Sequence, residues 1–82
     1  MEAKLLERIS INPKIMFGKP CIKGTRLTVE IILEKLAGGQ SFEEIIEDYP
    51  FLKPDDIRAA ALFAAEALSS ERVYFDVPTG QE

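Results

Sequence analysis

Apolar and polar positions alternate with a clear helical period through the middle of the chain. Val29, Ile32, Leu33 and Leu36 stand at i, i+3, i+4 and i+7, with Glu30, Glu34 and Lys35 opposite. That spacing predicts a first helix from Thr28, as N-cap, to about Ala37. Gly38-Gly39 ends it, because glycine accepts the left-handed conformation at a helix C-terminus. Phe42, Ile45, Ile46 and Tyr49 repeat the pattern behind Ser41-Phe42-Glu43-Glu44. There the serine hydroxyl and Glu44 can each satisfy an orphan amide, as a capping box. Pro50 closes this second helix. A third helix is expected from Pro54, which suits the first helical position, to Leu68 or Ser69. Asp55 and Asp56 complement the dipole in its first turn, and Lys53 is a weak N-cap. Between Ile57 and Leu68, ten of twelve residues are apolar. A helix apolar nearly all round is expected to be buried nearly all round. A second copy of the chain is the expected cover, reached through Ile57, Ala60, Ala61, Phe63, Ala64 and Leu68.

The pattern differs on either side of these helices. Residues 9–27 are rich in turns, at Asn12-Pro13, Phe17-Gly18-Lys19-Pro20 and Lys23-Gly24-Thr25-Arg26. Alternating Ile9 and Ile11 predict a short strand with one buried face, and the prolines exclude a long central strand. In the tail, residues 70–82, Val73-Tyr74-Phe75 could pair as an edge strand, with a frayed end beyond. The expected fold is therefore mainly α: a three-helix, helix-turn-helix-like (homeodomain-like) bundle over residues 28–69. Short β or extended pieces precede it in a basic segment, residues 1–27. An 82-residue chain is one domain. Folding would bury roughly 60–70% of its unfolded surface, which leaves a thin core and favours a homo-oligomer, most simply a dimer.

Charge sharpens this picture. The net charge is −4. Residues 1–26, however, hold six basic groups against two acidic ones, and residues 27–82 hold four against twelve. Such asymmetry suggests a polyanion contact or a self-complementary surface. The one cysteine, Cys21, cannot form an internal disulfide, and the absence of histidine excludes a Cys/His zinc site within one chain. Cys21 reads as a half-buried filler. No stretch nears the roughly 20 apolar residues of a membrane span, and the N-terminus lacks a signal-peptide pattern. The expectation is a cytoplasmic protein without membrane contact.

Gly18-Lys19-Pro20-Cys21-Ile22-Lys23-Gly24-Thr25-Arg26 is a distinctive run. With Glu43-Glu44-Ile45-Ile46-Glu47-Asp48-Tyr49-Pro50 and Asp56-Ile57-Arg58-Ala59-Ala60 it resembles the small prokaryotic family called domain of unknown function 433, over about residues 8–68. The resemblance implies an antitoxin-like protein with a helix-turn-helix-like fold, encoded beside a PIN-like nuclease, and brings no catalytic residues. Lys53 stands where a Thr or Ser N-cap is more typical of that family.

The candidate contacts follow from the residues. Lys19, Lys23 and Arg26 supply charge, Gly24 lets backbone amides approach an anion, and Thr25 and Thr28 offer hydroxyls at a helix N-terminus. This is either a phosphate-backbone or acidic-partner contact, or a structural turn in which Arg26 pairs with Glu30 or the acidic second helix. The loop lacks nucleotide-loop spacing. Arg58 is the lone cation near the start of the third helix. Asp55 and Asp56 argue against that helix reading a major groove. Glu43, Glu44, Glu47 and Asp48 read as a solvated face and not a metal site. Without histidine or an activated nucleophile, no enzyme and no cofactor is expected. Two functions remain open. One is a DNA-binding regulator of antitoxin type that binds DNA upstream of its own gene. The other is a protein-interaction module that binds a partner, such as the nuclease-like protein, without DNA.

Overall fold

A computed structural model of the chain describes residues 3–71. Helix α1 (Ala3–Leu6) leads into strand β1 (Ile9–Ser10), a 3-10 turn (Met16–Gly18) and strand β2 (Cys21–Ile22). Helices α2 (Val29–Ala37), α3 (Phe42–Asp48) and α4 (Pro54–Glu71) follow. The result is a mainly helical bundle with one small sheet. The three expected helices are present, and α1 is an addition that four residues without a cap or periodic stripe do not announce. The expected Val73-Tyr74-Phe75 strand lies outside the described residues.

The helix ends are set by local chemistry. Thr28 Oγ1 accepts a hydrogen bond from Ile31 N at 3.2 Å and caps α2. Its C-terminus is a Schellman motif: Gln40 N donates to Lys35 O and Gly39 N to Leu36 O. The left-handed residue is Gly39, at φ 95°, while Gly38 stays at φ −80°. The capping box on α3 forms as expected, with Ser41 N donating to Glu44 Oε1 at 2.8 Å and Glu44 N to Ser41 Oγ at 3.1 Å. At α4 the weak N-cap of Lys53 is made good from the other side. Asp56, in the N3 position, accepts from Lys53 N at 2.9 Å, so the reciprocal half of a capping box stands alone.

β1 and β2 pair antiparallel, Ile9 with Ile22 and Ser10 with Cys21. The strand stops at Ser10, so Ile11 is exposed and not on a buried face as its alternation suggested. On its other edge β2 bridges to Thr28. Flanked on both edges, Cys21 and Ile22 are both buried, Cys21 more fully than its sequence context suggested. Ile22, Leu27, Val29, Ile32, Ile45, Leu52, Ile57 and Ala60 form one core cluster. α4 is central to it, touching α1, α2, α3 and β1.

Burial on α4 corrects the expectation of a helix enclosed on all sides. Ile57, Ala59 and Ala60 are completely buried inside one chain, so Ile57 and Ala60 have no surface to offer an oligomer. Phe63 and Ala64 are half-buried, and Ala61 and Leu68 are exposed. The apolar run misled because six of its ten apolar residues are alanine. An alanine exposes one methyl group at little cost and is the best helix former.

Beyond the core, α2 and α3 are joined by polar side chains. Gln40 Nε2 and Lys35 Nζ both donate to Asp48 Oδ2, at 3.2 and 3.1 Å. Lys35 also lies 5.4 Å from the Tyr49 ring centre. The Gln40 hydrogen bond, then the Lys35 hydrogen bond and charge, hold the Asp48 carboxyl below the ordinary aspartate range. A lowered carboxylate stabilises the fold above its unfolded-state value, about 3.9, and that contribution fades as pH falls through the folded-state value. In an NMR titration, Asp48 should show a midpoint below the ordinary aspartate value, and Gln40→Ala should move it upward. The division of α4 has its own test in chemical denaturation. Ile57→Val should cost about 0.5–1.5 kcal/mol, whereas Leu68→Ala should change stability by less than about 0.5 kcal/mol.

Candidate functional site

The residues that sequence reasoning grouped together do not share one groove. A polar groove of about 730 Å³ runs between α1, the 23–26 loop and the start of α4. Lys4, Arg8, Lys23, Thr25, Phe51 and Asp55 line it with four others. An apolar groove of about 460 Å³ lies between α2 and α4, and Lys19 belongs to this one. Gly24 and Arg26 line neither. Arg58 sits in a smaller recess beside Lys53, Asp55 and Arg8.

The polar groove is built around a charge network. Arg8 Nη1 donates to Asp56 Oδ1 at 3.0 Å, and Arg8 Nη2 lies 3.8 Å from Asp55 Oδ2. Arg58 Nη1 donates to Asp55 Oδ1 at 2.8 Å, and its guanidinium lies 5.6 Å from the Phe42 ring centre. Arg58 is therefore held by two contacts within its own chain, which a ligand would have to displace. The Arg8 backbone also serves the site: Lys23 N donates to Arg8 O at 2.7 Å. Arg8 thus fixes the root of the loop that carries Lys23 and Arg26. Its own role was not legible in the sequence, because its partner Asp56 is 48 residues away.

The loop itself turns at Gly24, whose φ is +80°. A Cβ there would meet nothing within 4 Å, so backbone conformation and not crowding calls for glycine. Thr25 is a structural residue. Its hydroxyl donates to Ile22 O at 2.8 Å and accepts from Leu27 N at 3.0 Å. Thr28 is buried, its hydroxyl spent on Ile31 N, and Val29 N donates to Pro20 O at 2.9 Å. Of the two hydroxyls expected to face an anion, that of Thr25 is occupied and that of Thr28 is buried, and what the loop offers outward is charge. Lys23 and Arg26 are exposed. Glu30, a predicted partner for Arg26, pairs with Lys19 at 3.1 Å instead. Among the described residues neither Lys23 nor Arg26 has an ion pair.

Among the described residues no three His, Cys, Asp or Glu side chains gather as a metal site would need. No described helix is long and apolar enough to cross a membrane.

Comparison with known proteins gives these features a context. Residues 9–64 match the model of a family described as protein of unknown function, DUF433. The chain is 36% identical over 76 residues to the uncharacterised protein y4eO of Sinorhizobium fredii. That match takes in 90% of this chain but 34% of the relative, so the chain spans about a third of that protein's length. A crystal structure of a DUF433 member from Anabaena variabilis has the same fold, with a TM-score of 0.71 at 21% identity, covering 85% of this chain and 80% of that one. The paired strands, the turn at Gly24, α2 and α3 all fall within the matched residues, and the chain belongs to the DUF433 family.

Proposed function

We propose that the chain is a non-enzymatic DNA-binding regulator of antitoxin type, acting as a homo-oligomer and paired with a nuclease-like toxin. The observation that carries the DNA contact is a contrast among the cations. Arg8, Lys19, Lys35 and Arg58 each face a carboxylate. Lys4, Lys14, Lys23, Arg26 and Lys53 have no ion pair among the described residues, and of these Lys23 and Arg26 share one exposed turn rooted on Arg8. Cations free of internal partners can neutralise phosphates and release counterions, the main source of affinity for nucleic acid. Asp55 and Asp56 in the first turn of α4, with the acidic surface of α3, would repel phosphate. The backbone contact is therefore assigned to the loop and not to α4 as a recognition helix. The toxin partner rests on family resemblance.

A second reading, an interaction module without DNA contact, is favoured by exposed Ile11, Phe51 and Leu68, apolar surface of the kind partner proteins cover.

Fluorescence anisotropy with a duplex from upstream of the gene, beside a scrambled duplex, separates the two readings. The regulator should bind the cognate duplex more tightly and lose affinity as salt rises. Lys23→Ala with Arg26→Ala should weaken both duplexes alike and flatten the salt slope by about one unit for each phosphate no longer neutralised. Unchanged affinity in that variant would remove the loop from the interface. An absence of binding at micromolar protein would favour the interaction module.

A further inference from the structure

Two surface features bear on association. The first is Phe17, which is 96% exposed. It sits at φ 60°, ψ 29°, between Met16 at φ 49° and Gly18 at φ 80°. Three successive residues are thus left-handed, a conformation that costs every residue but glycine. The turn is firmly held. Gly18 N donates to Ile15 O at 3.0 Å, Lys19 N to Met16 O at 3.1 Å, and Lys14 N to Asn12 Oδ1 at 2.9 Å. The outcome is a phenyl ring held out in water on a strained backbone, and neither the strain nor the exposure helps the monomer.

The second feature is the apolar groove between α2 and α4. Pro20, Leu33, Ala37, Phe63 and Ala64 contribute to its lining, and Glu34 charges its rim beside the Lys19–Glu30 pair. A neighbouring recess lined by Ile9 and Ile11 shares Phe63 with it and continues the apolar face. Phe17 stands three residues before Pro20, within about 11 Å of chain, yet does not line the groove of its own chain. Lys14 and Lys19 flank Phe17 in sequence. Lys14 and Glu34 are both exposed and have no ion pair among the described residues.

An anchor and a receptor on the same chain can be satisfied by a twofold pairing, since each copy then gives its anchor and receives the other. We infer that the apolar groove receives Phe17 of a second copy of the chain, with Lys14 of each protomer facing Glu34 of the other. This specifies the homo-oligomer within the proposed function, and DNA does not enter its test. Each phenyl side chain supplies about 150–250 Å² of the roughly 800 Å² per partner that a stable interface buries. The Ile9–Ile11 recess and the flanks of the groove supply further area. The charges at the rim make the pairing salt-sensitive.

Phe17→Gly is the informative variant, because glycine suits φ 60° and relieves strain while deleting the anchor. In sedimentation equilibrium the wild-type chain should be a dimer, and Phe17→Gly should raise the dissociation constant at least about 30-fold. Below the dissociation concentration its thermal midpoint should equal or exceed the wild-type value, whereas a purely structural Phe17 would lower it. Ala64→Glu should also dissociate the dimer from the groove side. Mixing Phe17→Gly with Ala64→Glu should restore partial pairing, since one intact anchor then meets one intact groove. A monomeric wild-type chain, a Phe17→Gly variant that stays dimeric, or a mixture that gains nothing would overturn the inference. Dissociation by Tyr74→Ala with Phe75→Ala, while Phe17→Gly stays paired, would assign the groove to the C-terminal residues and overturn it as well.

Discussion

The Asp56 carboxylate joins parts of the chain that would otherwise meet weakly. It is 7% exposed and accepts from both Arg8 Nη1 and Lys53 N. One contact is long-range and fastens the N-terminal segment to α4, and the other closes the first turn of α4 where Lys53 cannot cap it. Arg8 passes the constraint on, because its carbonyl accepts from Lys23 N. The order Asp56, Arg8, Lys23 thus runs from the core helix to the strand pair to the basic loop. Hydrogen bonds to a charged group are worth about 1.5–3 kcal/mol, the lower end applying where a partner is as open to water as Arg8. In a domain whose total stability is of order 5 kcal/mol, losing this joint would free the loop before it unfolded the helices.

α4 shows how one helix can serve two environments. Its first half supplies Ile57, Ala59 and Ala60 to the core. Its second half leaves the core and presents Phe63 and Ala64 to the groove beside α2. Alanine makes this possible, since it neither demands burial nor resists helix formation. The apolar composition that suggested complete enclosure therefore describes a helix with one deep face and one lightly apolar face. The proposed self-association draws on the second face, which keeps Phe63 and Ala64 of the expected interface, while Ile57 and Ala60 belong to the core.

What could be read from the sequence follows range. The capping box at Ser41, the proline start of α4 and the end of α2 depend on neighbours within five residues, and each was legible. The short pairing of Ile9 with Ile22 was half legible: the strand was visible, but its length was set by the turn after Ser10. The Arg8–Asp56 pair was invisible because sequence spacing says nothing about groups 48 residues apart. Of the candidate residues, Lys23 and Arg26 are exposed as their charge suggested, Lys19 and Arg58 are paired within the chain, and the hydroxyls of Thr25 and Thr28 turn inward. Thr25 and Thr28 look identical whether they face a ligand or their own backbone, and short polar side chains in turns usually choose the backbone. Phe17 was hidden for another reason. Its left-handed φ is one that composition would assign to a glycine, so nothing in the local pattern marks it as strained.

The two grooves bear on each other through β2. Lys19 enters the apolar groove just before this strand and Lys23 enters the polar groove just after it. A second chain seated on the apolar side would therefore leave Lys23 uncovered. A twofold pair would carry two such loops, each rooted on its own Arg8 and Asp56. Affinity for a polyanion rises with the number of phosphates neutralised, and its salt dependence steepens in proportion. A single loop with two free cations is a weak ligand for DNA, and two loops held at a fixed separation are a stronger one with a spacing preference built in. In that arrangement the strain stored at Phe17 and the free charges of the 23–26 loop have one explanation. The aromatic anchor would there fix the distance between two basic loops that would be too weak to act alone.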